Sequence, residues 1–122
     1  MVEEINILET GALAQYIARL TLEKKADDVT IMDLRKLTTM TDYFVICSGD
    51  SEVQTKAIND HIHEELRKEK IKIYHTDDKS FEWIVLDLVD IVVHIFKPEV
   101  RQFYALEKLW GDAKVVDLKN EN

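Results

Sequence analysis

The stretch YFVICS, residues 43–48, constrains this chain more than any other, because SGDSEVQTKAIND follows it without a break. The run is continuously apolar but only of strand length, so it reads as a strand central in its sheet. Beyond it Gly49 is free to turn, Asp50 or Ser51 can cap, and Val53, Ala57, Ile58, Ile62 and Leu66 fall on one apolar stripe. A helix is therefore expected to run to about Lys70. Upstream, VTIMDL alternates Val29 and Ile31 with Thr30 and Met32 and predicts a first strand. Only the polar LRKLTTMT connects it to YFVICS, too little chain for a crossover helix, so these strands are not parallel and the sheet is mixed.

The other elements fit around this unit. Leu8, Leu13, Tyr16, Ile17 and Leu20 recur at helical spacing and predict a first helix over Ile7–Leu22. After the second helix, IKIY (71–74) predicts a third strand ending at His75, and FEWIVLDL (81–88) and IVVHIF (91–96) predict a hairpin around Val89-Asp90. Pro98 starts a final helix through KPEVRQFYALEKLW, with Gly111 as its C-terminal cap. The expected order is α-β-β-α-β-β-β-α: an α/β fold with a mixed five-stranded sheet and helices packed on one face. At 122 residues one domain spans 1–122, with its core at about 7–113 and a short polar tail.

Composition narrows the function classes. Sixteen basic against 24 acidic residues leave a net charge of −8, which disfavours a grip on phosphate backbone and favours a basic protein partner. Direct sequence-specific nucleic-acid recognition is not expected. No stretch approaches the 18 apolar residues of a membrane span, and the start MVEEINILETG lacks the basic region of a signal peptide, which makes the cytoplasm the default expectation. The single Cys47 forms no internal disulfide and sits in an apolar run without an adjacent histidine, so it reads as an inert core thiol.

No cofactor or metal is implied. His61 and His63, two apart on a helix, point about 200° away from each other. His75 and His94 approaching across the sheet is the other candidate ligand pair. The enzyme alternative is a metal-dependent nucleotidyltransferase in which SGDS holds phosphate and Asp87 and Asp90 hold the ion, but SGDS alone is also an ordinary turn and cap. There is no Walker loop and no complete dinucleotide-binding glycine fingerprint.

The late hairpin is more informative. Ile84, Leu86 and Leu88 with Ile91, Val93 and Ile95 make one wholly apolar face. The opposite parity carries Trp83, Val85, Asp87, Val92, His94 and Phe96, a mixed face suited to recognition. Trp83 divides between recognition anchor and ordinary packing under the last helix, and Phe96 leans toward packing. Phe103, Leu106 and Trp110 recur at helical spacing and dock against the sheet or a subunit, while Tyr104, Glu107 and Lys108 lie on another arc. A homodimer is a further possibility, and a homodimeric scaffold the third function class.

TDYFVICSGDSEVQTKAIND, EWIVLDLVDIVVHIFKPEVRQFYALEKLWGDA and their spacing resemble the ribosomal silencing factor (RsfS, or Iojap) family over nearly the whole chain. The resemblance implies a nucleotidyltransferase-like fold without enzyme activity and binding to the large ribosomal subunit through ribosomal protein fourteen. Small-subunit joining would be blocked and translation lowered when nutrients are limiting. It implies ribosomal-protein contacts at Trp83, Asp87 and His94, with Phe96, Tyr104 and Glu107 as further candidates. The family usually has a glycine in the hairpin turn, where this chain has Val89, a residue without glycine's freedom at positive φ.

Overall fold

A computed structural model describes residues 9–118, with the side chains of residues 102–104 outside that description. Six strands form one sheet in the order β3-β4-β5-β2-β1-β6. They are β1 (Asp27–Asp33), β2 (Tyr43–Ser48), β3 (His75–Asp77), β4 (Trp83–Asp87), β5 (Ile91–Phe96) and β6 (Lys114–Val116). The helices are α1 (Thr10–Glu23), α2 (Glu52–Lys68), α3 (Pro98–Tyr104) and α4 (Leu106–Leu109). Only β2 and β5 pair in parallel, with Tyr43 opposite Ile91 and Ser48 opposite Phe96, and the other neighbours are antiparallel. The mixed sheet thus has its two six-residue, largely apolar strands side by side at its centre, where both faces need covering.

Alternation sorts those faces. Ile31, Val45, Cys47, Ile84, Leu86, Val93 and Ile95 point into the main core, which α1 closes with Ala14, Ile17 and Ala18 and α2 with Ile58, Ile62 and Leu66. Ser51 rather than Asp50 caps α2, its hydroxyl accepting from the Gln54 amide at 3.2 Å. Gly49 is required by close approach, since a Cβ there would meet Thr55 Cγ2 at 3.0 Å. The predicted first-helix residues Ile7 and Leu8 lie outside the described residues.

The α/β architecture with a mixed sheet is as read, and four details differ. The sheet has six strands rather than five, because Lys114–Val116, read as polar tail, pairs antiparallel with β1 through Met32 opposite Val115. The third strand lies at 75–77 rather than 71–74: Ile71 bonds its amide back to Leu66, Ile71 and Ile73 pack on the main core, and pairing begins only where the Tyr74 amide meets the Asp87 carbonyl. The last helix is broken at Ala105, which takes a left-handed φ of 49° between α3 and α4. Finally, the helices are not confined to one face. The break turns α4 so that Leu106, Trp110 and Ala113 join Val100 against a second cluster of Met32, Leu34, Ile46 and Phe96 on the opposite side of the sheet.

Candidate functional site

That second face carries the residues singled out in the hairpin. Register places Trp83 opposite Phe96, Val85 opposite His94 and Asp87 opposite Val92, and brings β2 in beside them with Phe44 opposite Val92 and Ile46 opposite His94. Trp83 is partly buried, its ring stacked on Phe96 with centroids 4.9 Å apart. Its indole N–H donates to His94 Nδ1 at 3.1 Å. Phe44 stands edge-on to His94 at 4.6 Å and to Trp110 at 6.2 Å. An aromatic layer therefore runs from β4 across β5 and β2 to the end of α4.

Burial corrects two of the sequence-derived contacts. Phe96 is wholly buried beneath the α3–α4 pair, and His94 is only 6% exposed, so neither is available on the surface. Burial pushes the His94 pKa down to about 4, so the ring is neutral at physiological pH. Asp87 is partly buried, and its Oδ1 accepts the Val89 amide at 2.8 Å across the hairpin turn. Glu107 is engaged by Arg101, whose guanidinium also donates to the Asp28 carbonyl at 2.7 Å and to Ser48 Oγ at 2.9 Å. The Tyr104 side chain lies outside the described residues.

Trp83 is then the member of the set that combines partial exposure with a large apolar surface. It lines an open concavity of about 570 Å³ with Asp77, Lys79, Ser80, Glu82, Glu99 and Val100. Three carboxylates against one ammonium give that rim an acidic bias, in line with the charge of the whole chain. Sequence reading missed Phe44 and Arg101 as parts of this face, and it placed Trp110 against the sheet or a subunit without saying which face of the sheet. Pairing β2 with β5 in parallel would have found Phe44, whereas nothing local marks Arg101, whose partners lie 53 and 73 residues away in the chain.

The enzyme alternative fares differently. The SGDS turn begins at Ser48, which sits beside Phe96, while Asp87 sits beside Val92 and Asp90 precedes Ile91, at the other end of β5. Phe96 and Val92 are four residue steps apart on the strand, about 13 Å at the usual rise, so the phosphate-like turn and the hairpin acids do not converge. The histidines are dispersed as well: His61 bonds Glu23 on α1 at 2.7 Å, His63 faces Thr76 on β3 at 3.3 Å, His75 is exposed on the edge and His94 is buried. Among the described residues no three His, Cys, Asp or Glu side chains stand together to hold a metal. Cys47 is wholly buried and its thiol pKa is pushed up to about 12. No helix among the described residues is long and apolar enough to cross a membrane.

Fold and face together define a small α/β domain with a mixed sheet, helices packed on both of its faces, and an aromatic layer that ends in an acid-rimmed concavity. Residues 8–122 match the family model described as "Ribosomal silencing factor during starvation", and the chain belongs to that family. The ribosomal silencing factor RsfS of Bacillus subtilis is 37% identical over 97 residues, covering 79% of this chain and 82% of that one. A crystal structure from Bacillus halodurans superposes with a TM-score of 0.76 at 33% identity, covering 87% of this chain and 97% of the other. A more distant relative is the mouse protein named "Mitochondrial assembly of ribosomal large subunit protein 1", 31% identical over 77% of this chain and 43% of its own length.

Proposed function

We propose that this chain docks on the large ribosomal subunit through the Trp83 face, against ribosomal protein fourteen, and that the bound domain occupies space the small subunit needs. Translation is then lowered by sterics alone, with no covalent step. The observation that carries this reading is a partly exposed Trp83 set in a rim of Asp77, Glu82 and Glu99: an aromatic anchor surrounded by charge that selects a basic protein surface and repels rRNA phosphate. Asp87 lies on the same sheet face, further along β4. Family membership and the ribosomal large-subunit name of the mouse relative support the choice of subunit.

Purified large subunits, small subunits and the chain test the reading in one sedimentation experiment. Binding to large subunits with a matching fall in joined ribosomes is expected, weakened by Trp83→Ala and by raised salt. Failure of the folded wild type to cosediment with large subunits would refute it. Self-association by edge pairing is less favoured, since both outer strands are three residues long and bear His75, Asp77 and Lys114.

A further inference from the structure

Packing alone does not account for the imidazole of His94. An apolar side chain would fill the same place between Phe44, Trp83 and Phe96 without burying a polar atom. The histidine instead leaves Nε2 buried with no hydrogen-bond partner among the described residues, a cost of the kind native proteins retain for a reason. What it contributes is one acceptor. Nδ1 takes the Trp83 indole N–H at 3.1 Å, which fixes the tautomer: the proton is on Nε2, and the alternative tautomer would set two N–H groups against each other.

The stack supplies the other constraint. Trp83 lies 28° from the Phe96 plane, and His94 and Phe96 are nearly parallel at 9°. Stacking sets the indole plane, and the bond to Nδ1 sets the direction in which the indole N–H points within that plane. We infer that His94 is a positioning residue, which acts from beneath the surface to hold the Trp83 indole in the single orientation presented to the partner. A second consequence is that the indole N–H is already satisfied inside the domain, so the partner meets the ring through its apolar surface. The inference deepens the docking reading above and rests on it, because an anchor ordered beforehand loses less rotational freedom on binding.

His94→Leu and His94→Asn in the full chain separate positioning from stability. Leu removes the acceptor but suits the buried site, whereas Asn keeps an acceptor near the Nδ1 position and is smaller. The Trp83 indole N–H is read in the free protein by its ¹⁵N-resolved shift and exchange protection, with Trp110→Phe used to tell the two indoles apart. Affinity is read against purified large subunits. His94→Leu is expected to melt at or above wild type, lose the protected indole signal and bind about tenfold more weakly. His94→Asn is expected to melt lower, yet keep the signal and bind within about twofold of wild type.

Affinities that follow the melting temperatures, or a His94→Leu variant that binds like wild type, would overturn the inference. So would an indole signal in the wild type as unprotected as in His94→Leu. Failure of the wild type itself to bind large subunits would overturn the docking reading and the partner with it. The indole signal, recorded without ribosomes, tells that failure apart from a failure of His94 to hold Trp83.

Discussion

Replacing Val89 by glycine should make this protein more stable. The β4–β5 connection is a tight turn in which the Asp90 amide bonds the Leu88 carbonyl at 3.0 Å and the Leu88 amide bonds the Ile91 carbonyl at 2.8 Å. Val89 at its centre has φ of 76°, a conformation that β-branched side chains resist. The surroundings enforce it: Asp87 Oδ1 holds the Val89 amide, and the Asp90 carbonyl accepts from both Asp42 and Tyr43 at the start of β2. Relief of the strain is worth about 2 kcal/mol. Against it stand about 0.7 kcal/mol for the greater freedom of glycine in the unfolded chain and about 0.5 kcal/mol for apolar contact, small because Val89 is 52% exposed. The net gain is about 1 kcal/mol, or a rise of about 4 °C in Tm for a domain of this size. Urea and thermal unfolding of wild type, Val89→Gly and Val89→Ala measure it. Alanine loses the same contacts but keeps a Cβ at positive φ, so it should fall below glycine by about 1 kcal/mol. A glycine variant that melts at or below the alanine variant, with unchanged urea m-value, would refute the strain argument.

The outer face yields four more. Phe96→Ala should cost about 3–5 kcal/mol in urea titration, because the ring is wholly buried, and Trp83→Ala less, because it is only partly so. Trp83→Ala should instead lose about 2 kcal/mol or more of large-subunit affinity, read by sedimentation. Arg101→Ala should destabilise by about 2–3 kcal/mol, since it leaves Ser48 Oγ, the Asp28 carbonyl and Glu107 without their shared donor, and Arg101→Lys should recover only part. Acid should act through His94: its folded pKa of about 4 lies below the unfolded 6.5, so the unfolded chain binds the extra proton first and stability falls as pH drops from about 6.5 to 4. That loss, about 3 kcal/mol in denaturant titrations across the window, should vanish in His94→Leu.

What was legible in the sequence was whatever alternation or a continuous apolar run encodes. YFVICS and its following cap placed β2 and α2 to within two residues, and hairpin parity divided Ile84, Leu86, Val93 and Ile95 from Trp83, Asp87 and His94 correctly. Alternation says which side chains share a face, but not what later covers it. His94 looked available, and Phe96 stayed among the contact candidates although it leaned toward packing, because the fold-back of α3 and α4 depends on a left-handed Ala105, which has none of the glycine signature of such a break. The sixth strand was hidden for a related reason: three residues of KVV beyond a helix carry no pattern until β1 offers them an edge. The extended segment 71–74 was read as strand from its own alternation, although its isoleucines serve the core while its backbone only approaches the sheet.

The turn that invites a nucleotide reading shows how this fold turns a cradle into scaffold. Four polar groups along Ser48–Ser51 are already engaged within the domain. The Ser48 hydroxyl accepts from Arg101, the Gly49 amide bonds the Phe96 carbonyl at 2.8 Å, the Asp50 amide bonds Gln54 Oε1 at 2.6 Å, and Ser51 caps α2. The Arg101 guanidinium, the cation bonded to that turn, has its charge matched by Glu107. An incoming phosphate would have to displace an ion pair and several hydrogen bonds that join α3 and α4 to β1 and β2, and with them the cover over Phe96. The same contacts that fill this end of the sheet hold the aromatic layer whose far end is Trp83. The side chains that close this turn are therefore the same ones that hold the cover over Phe96.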